Sequence, residues 1–191
     1  MDTADLITLD QLRDGYGFTI APGSKIEAMY ERLITAASLA CLHFVGRDIH
    51  LREITEYQDG NGHDRLVLDD KPVASIESLF VDASRIFTSP LDPASYRVEG
   101  ETGIVTLYGV KTPNVKDCIR VIYTAGYATI PADIGAAVAD TIQMMARRIT
   151  GVAGGVTART MADGGAEQLE TVAPTDYAKF LLRAYRRNLV R

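Results

Sequence analysis

The sequence predicts an α+β fold, a helical core with a small antiparallel sheet block set between its helices. Three observations carry this. Apolar residues recur every three or four positions over 24–45 and again over 131–150. Between those stretches, from about 50 to 124, the period shortens towards two, and β-branched and aromatic residues become common. A further helical pattern closes the chain at about 175–189. Helices, then strands, then helices indicate α+β; a parallel α/β sheet would alternate them.

Thr8 and Gln11 have capping-box spacing, so residues 8–14 read as a short helix ended by Gly15. Ser24 and Glu27 repeat that spacing and open the first long helix. Its stripe is Ile26, Met29, Leu33, Ala37, Ala40 and Phe44, widened by Ile34, Cys41 and Val45 and stopped by Gly46. Leu51, Glu53, Thr55 and Tyr57 then share one side of a strand with Ile54 on the other. Asp59-Gly-Asn-Gly62 is expected to be a hairpin turn, with Leu66, Val67 and Leu68 as the return strand. A strand over 73–81 follows the turn at Lys71-Pro72. A loop over 82–95 carries Pro90 and Pro93. A second hairpin uses 96–98 and 104–108.

The stretch 118–148 organises the rest. Ile119, Val121 and Tyr123 alternate with Arg120, Ile122 and Thr124, and Ala125-Gly126 breaks the strand. Pro131 and Asp133 suit a helix start. Ile134, Val138, Ile142, Met145 and Ile149 supply the helical stripe, Arg147 and Arg148 sit where cations favour a helix end, and Gly151 stops it. Residues 151–173 hold five glycines and few large apolar groups, which predicts a loop or arm.

The chain has 191 residues, 47% hydrophobic and 24% charged, and a net charge of -5. No long Pro/Gly/Ser linker divides it, so a single domain over 1–191 is expected. Its bulk charge offers no argument for nucleic-acid binding. Cys41 and Cys118 lie inside apolar runs and read as buried free thiols, suited to a reducing compartment. The opening residues carry acids where a signal peptide has bases. The longest charge-free runs, 33–46 and 121–132, fall short of the roughly 18 residues of a membrane span.

Catalytic and metal motifs are weak throughout, and no cofactor is expected. The run Asp59–Asp64 alternates oxygen donors, but a helix-flanked calcium loop needs Gly at its sixth position and Glu at its twelfth. Asp64 and Asp70 stand there, so a turn without a structural ion is expected. Gly151–Gly155 lacks the Lys-Ser or Lys-Thr of a phosphate loop. Cys41 and His43, two apart on a helix, face different ways. His50 and His63 have no ligand-spaced partners, and no nucleophile elbow or His-Glu-x-x-His is present. The sharpest charge feature is C-terminal. Residues 177–191 contain five bases and no acid, or +5, which leaves -5 minus +5, or -10, on the remainder.

Taken together, several runs resemble the head–tail connector (adaptor, or head-completion) proteins of tailed bacteriophages. They are Ile7–Leu12, the helix ending Phe44-Val-Gly-Arg47, Glu53–Asp64 with Arg65–Leu68, and Lys71–Ile76. Val121–Tyr127 followed by Ile130–Asp133, and the ending Leu181–Arg187, complete the resemblance. It implies a structural virion subunit, not an enzyme, in a ring of about a dozen copies beneath the portal. A phage or a phage-derived gene-transfer particle would use the same part, assembled in the host bacterial cytoplasm. The implied partners are the portal protein, the next neck or tail connector, identical subunits, and DNA passing through the lumen without sequence reading. No membrane is implied. A small enzyme with an unrecognised site and an unrelated oligomeric scaffold are the alternatives.

Two surface expectations follow. The first long helix is apolar around much of its circumference, so Ile26, Met29, Leu33 and Ile34, with Ile142 and Met145, are expected at subunit contacts. Residues 175–191 are expected to dock on the portal, away from the chain's own core. Tyr177, Phe180, Leu181 and Tyr185 would anchor the contact, and Lys179, Arg183, Arg186 and Arg187 would meet acidic groups.

Overall fold

A computed structural model describes residues 5–150 and 173–186. The fold is α+β, with three α-helices and two three-stranded antiparallel sheets among the described residues. Composition, with no linker, suggests one domain. The chain forms two compact units, one made by its two ends, up to Arg47 and from Ile130, the other by Asp48–Thr129.

The first unit is helical. Thr8 and Gln11 close their box reciprocally: the Gln11 N–H donates to Thr8 Oγ1 at 3.1 Å and the Thr8 N–H to Gln11 Oε1 at 2.8 Å. The turn that follows, Gln11–Gly15, is wound as a π-helix. Helix α1 spans Lys25–Val45. Ser24 Oγ accepts from the Glu27 N–H at 3.2 Å, and Gly46 ends the helix with φ 76° while its N–H donates to the Leu42 carbonyl. The Glu27 carboxylate binds the Gly23 N–H and Arg13, at 2.7 Å, and so ties the incoming chain to the helix start. Its hydrogen bond to Arg13 holds its pKa below the ordinary value. Helix α2 spans Ala132–Thr150. Helix α3 spans Asp176–Leu182 and tightens into a 3-10 turn over Arg183–Tyr185.

These three helices pack on one another. Ala37, Cys41 and Val45 of α1 are buried, as are Ile134, Val138 and Ile142 of α2 and Ala178 and Leu182 of α3. Burial pushes the Cys41 thiol up to about 11, so it is inert as a nucleophile at neutral pH. Ile149, counted above in the α2 stripe, is instead 61% exposed.

The second unit contains β1 (Arg52–Gln58), β2 (Arg65–Val67), β3 (Val73–Val81), β4 (Tyr96–Glu99), β5 (Ile104–Leu107) and β6 (Ile119–Ala125). One sheet has the order β1-β6-β3 and the other β2-β5-β4. The hairpin of β4 and β5 forms as expected, with Val98 opposite Val105. The hairpin expected at Asp59–Gly62 does not form. β1 pairs with β6, Ile54 opposite Tyr123, while β2 pairs with β5 in the other sheet. The turn is drawn onto the loop before β6. The Gly60 N–H donates to the Val115 carbonyl at 2.9 Å, and the backbone comes so close that a Cβ on Gly60 would lie 1.7 Å from the Pro113 oxygen. Asp59 accepts from the Asp117 N–H at 2.9 Å and Asn61 from the His63 N–H at 3.0 Å, so both carbonyl-type oxygens cap backbone donors.

Both sheets share one apolar core, in which Leu79, Val105, Val121 and Tyr123 are fully buried. The Tyr123 hydroxyl reaches a polar rim. It donates to Glu56 Oε2 at 2.6 Å and accepts from the Asp70 N–H at 3.3 Å, and burial followed by the Glu56 carboxylate drives its pKa up. At the end of β6, Gly126 has φ 110° and packs on the Ile49–His50 backbone, where a Cβ would lie 2.3 Å from the His50 oxygen. That approach lets the Tyr127 N–H reach the Ile49 carbonyl at 2.9 Å and the Leu51 N–H reach the Tyr127 carbonyl at 3.2 Å.

Candidate functional site

The residues expected to touch partners separate into a buried set and an exposed set. On α1, Ile26 is 54% exposed and Met29 half-buried, while Leu33 and Ile34 are buried. On α2, Ile142 and Met145 are buried as well. Leu33, Ile34, Ile142 and Met145 are therefore core residues of the subunit itself, and their assignment to a subunit interface is corrected. The wide apolar girth of α1 has a simple reason: both α2 and α3 pack against it.

Helix α3 departs from expectation in the same way. It lies on its own helical unit, with Ala178 and Leu182 buried. Thr175 caps it, accepting from the Ala178 N–H at 3.0 Å and donating to Asp140 of α2. The Tyr185 hydroxyl meets both Asp133 oxygens, at 2.8 and 2.7 Å, and the Tyr185 carbonyl accepts from Arg47 Nε at 3.0 Å. Tyr185 thus closes the helix onto the start of α2. A regular helix over 175–189 gives way here to one ending at Leu182, because the next turn tightens to bring Tyr185 to these partners. The spacing Ala178–Leu182, one helical turn, is the sequence signal of the inward face, beside the larger Tyr177 and Phe180 of the outer one.

What α3 presents outwards is a compact aromatic and basic surface. Tyr177 is 58% and Phe180 67% exposed, with Leu181 half-buried beside them. Lys179 pairs with Asp176 at 3.2 Å, Arg183 is exposed, and the Arg186 guanidinium stands 5.4 Å over the Phe44 ring. Arg187 lies outside the described residues, as do residues 151–172. Exposed aromatic groups with cations at their margin are the composition of a protein-binding surface.

Two further features stand out. A groove of about 590 Å³ runs between the N-terminal segment and the start of α2. It is lined by Leu6, Ile7, Asp10, Asp14, Tyr16, Ile130 and Pro131, among others. In the sheet unit, the loop after β3 is clamped by Arg120, whose guanidinium stacks 4.1 Å from the Phe80 ring and 5.0 Å from Phe87. Among the described residues no group of three His, Cys, Asp or Glu side chains could hold a metal ion, and no helix is long and apolar enough to cross a membrane.

An α+β subunit with a clamped loop and an exposed aromatic face has the character of an assembly component. The head completion protein family matches residues 5–161, and the chain belongs to that family. Its fold is similar to chains in the neck of an empty gene transfer agent (GTA) particle computed with C6 symmetry. There the identity is 18%, the match covers 99% of this chain and 93% of the other, and the TM-score is 0.58. In the virion of a native GTA particle the figures are 18%, 99%, 93% and 0.57. In the neck of a native GTA particle computed with C12 symmetry they are 20%, 91%, 95% and 0.53. No curated protein matches.

Proposed function

We propose that this protein is a structural subunit of a head–tail neck, forming a closed ring of about a dozen copies that joins the portal to the next connector and extends the DNA channel. Membership of the head completion family, over residues 5–161, carries this reading. The fold likeness to chains of GTA necks supports it, and the C12 symmetry of one of those necks is the basis for the copy number. A net charge of -5 suits a channel wall that does not hold phosphate back. The role is structural, without a reaction, and the particle is a phage or a phage-derived carrier assembled in its host's cytoplasm.

The portal contact falls to the outer face of α3. Tyr177 and Phe180 are the anchors, with Lys179, Arg183 and Arg186 around them and Arg187 following. Packing of Ala178 and Leu182 on the subunit's own bundle fits this role, since an interface side chain held rigid in the free protein binds at lower entropic cost. The test is to add purified protein to portal-bearing heads that lack it. Rings of density beneath the portal in negative-stain images, and restored tail joining, are expected. Phe180→Ala with Tyr177→Ala should keep the fold and lose head binding. Failure of the wild-type protein to bind heads would refute the reading.

A further inference from the structure

The loop that leaves β3 displays Ile86, which at 69% is the most exposed large apolar side chain among the described residues. The display is built. The Asp82 carboxylate accepts four hydrogen bonds, from the Ser84 N–H at 2.8 Å, Ser84 Oγ at 2.6 Å, the Ile86 N–H at 3.0 Å and the Phe87 N–H at 2.9 Å. Arg85 and Phe87, on either side of Ile86, hold φ of 60° and 54°, a region that side-chain-bearing residues seldom adopt. Arg120 holds Phe87 in place, stacking on its ring and donating from Nη2 to its carbonyl at 3.2 Å. Backbone in such conformations persists only where its surroundings over-determine it, and it gathers at binding sites. Here it turns an aliphatic knob and the exposed Arg85 to solvent.

The groove of the helical unit has the complementary character. Leu6, Ile7, Ile130 and Pro131 give it apolar walls, and the exposed Asp10 and Asp14 give it a negative rim. We propose that Ile86 of one copy seats in this groove of the next copy, with Arg85 against Asp14. The occupant is a second copy of this chain because a closed ring is held by heterologous contacts. Each subunit must then carry two different patches, one complementary to the other. The knob and the groove differ in shape and in charge sign, and each is exposed on the isolated chain. The inference rests on the ring reading above and adds to it the pair of patches that closes the ring.

Cysteine pairing tests it, since Cys41 and Cys118 are buried. Full-length Ile86→Cys and Asp14→Cys proteins are mixed, assembled on portal-bearing heads and oxidised. A covalent dimer of the two variants is expected, with none when either is mixed with wild type. A chain carrying both changes should give a ladder of multimers. Rings without the dimer, or a double variant that closes only within one chain, would overturn the proposal. Wild-type protein that forms no ring would refute the ring reading itself, and this proposal with it. A charge exchange gives a second measurement. Arg85→Glu should raise the concentration needed for half-maximal ring formation at least about tenfold, and Asp14→Arg in the same chain should restore it. Absence of either effect counts against the contact.

Discussion

In the helical unit α1 carries its own boundaries, whereas in the sheet unit only the β4–β5 hairpin specifies its own pairing. Ser24, Glu27 and Gly46 mark the ends of α1 within a few residues of the backbone groups they satisfy. The pairing of β1 with β6 joins residues more than sixty positions apart, with Arg52 opposite Ala125. The Asp59–Gly62 turn has hairpin composition, yet β1 and β2 enter different sheets. Local hydrogen bonds explain the first unit. In the second, close backbone approaches at Gly60 and Gly126, and one buried tyrosine tied to Glu56, select among pairings that local sequence leaves open.

The largest effect is expected at Gly126. Gly126→Ala places a Cβ 2.3 Å from the His50 oxygen on a backbone at φ 110°. Clash and strain together should cost about 3 kcal/mol or more. Chemical denaturation should show the loss, and the amides of β1 and β6 should lose their hydrogen-exchange protection. An equally stable variant would mean that the Ile49–Tyr127 crossing does not hold the strand end.

The helical unit offers a narrower test, between two faces of α3. Leu182→Ala removes a fully buried side chain and should cost about 2–5 kcal/mol. Phe180→Ala, two residues earlier and on the outer face, should change stability by no more than about 0.5 kcal/mol. Thermal melts of the two variants measure the difference. Similar losses in both would mean that the outer face is covered within the subunit.

The smallest effect is confined to the loop that carries Ile86. Hydrogen bonds from Ser84 and from the Phe87 backbone lower the Asp82 pKa from 3.8 to about 2. A depressed carboxylate stabilises the loop fully above 3.8 and ceases to do so as the pH falls through about 2. The Ser84, Ile86 and Phe87 amide resonances should therefore hold their positions to below pH 3.8 and then move together. Asp82→Asn should remove that transition and speed exchange at the same amides. Resonances that move with an ordinary carboxylate midpoint would show that the clamp is weaker than its geometry indicates.

The sequence by itself determined where α1 begins and ends and where α2 begins, that 73–81 and 119–124 are extended, that 96–98 and 104–108 form a hairpin, and that both cysteines are buried. These follow from apolar period, from caps whose partners lie three or four residues away, and from Gly at positive φ. The family resemblance was also readable, and the head completion match over residues 5–161 agrees with it. Beyond the β4–β5 hairpin, tertiary structure alone decided which strands share a sheet. It also decided that Leu33, Ile34, Ile142 and Met145 belong to the core, and that α3 turns Ala178 and Leu182 inwards and Tyr177 and Phe180 out. The physical reason is common to all three. An apolar side chain records that it leaves water, but the hydrophobic effect is non-directional, so nothing in that residue says which surface receives it.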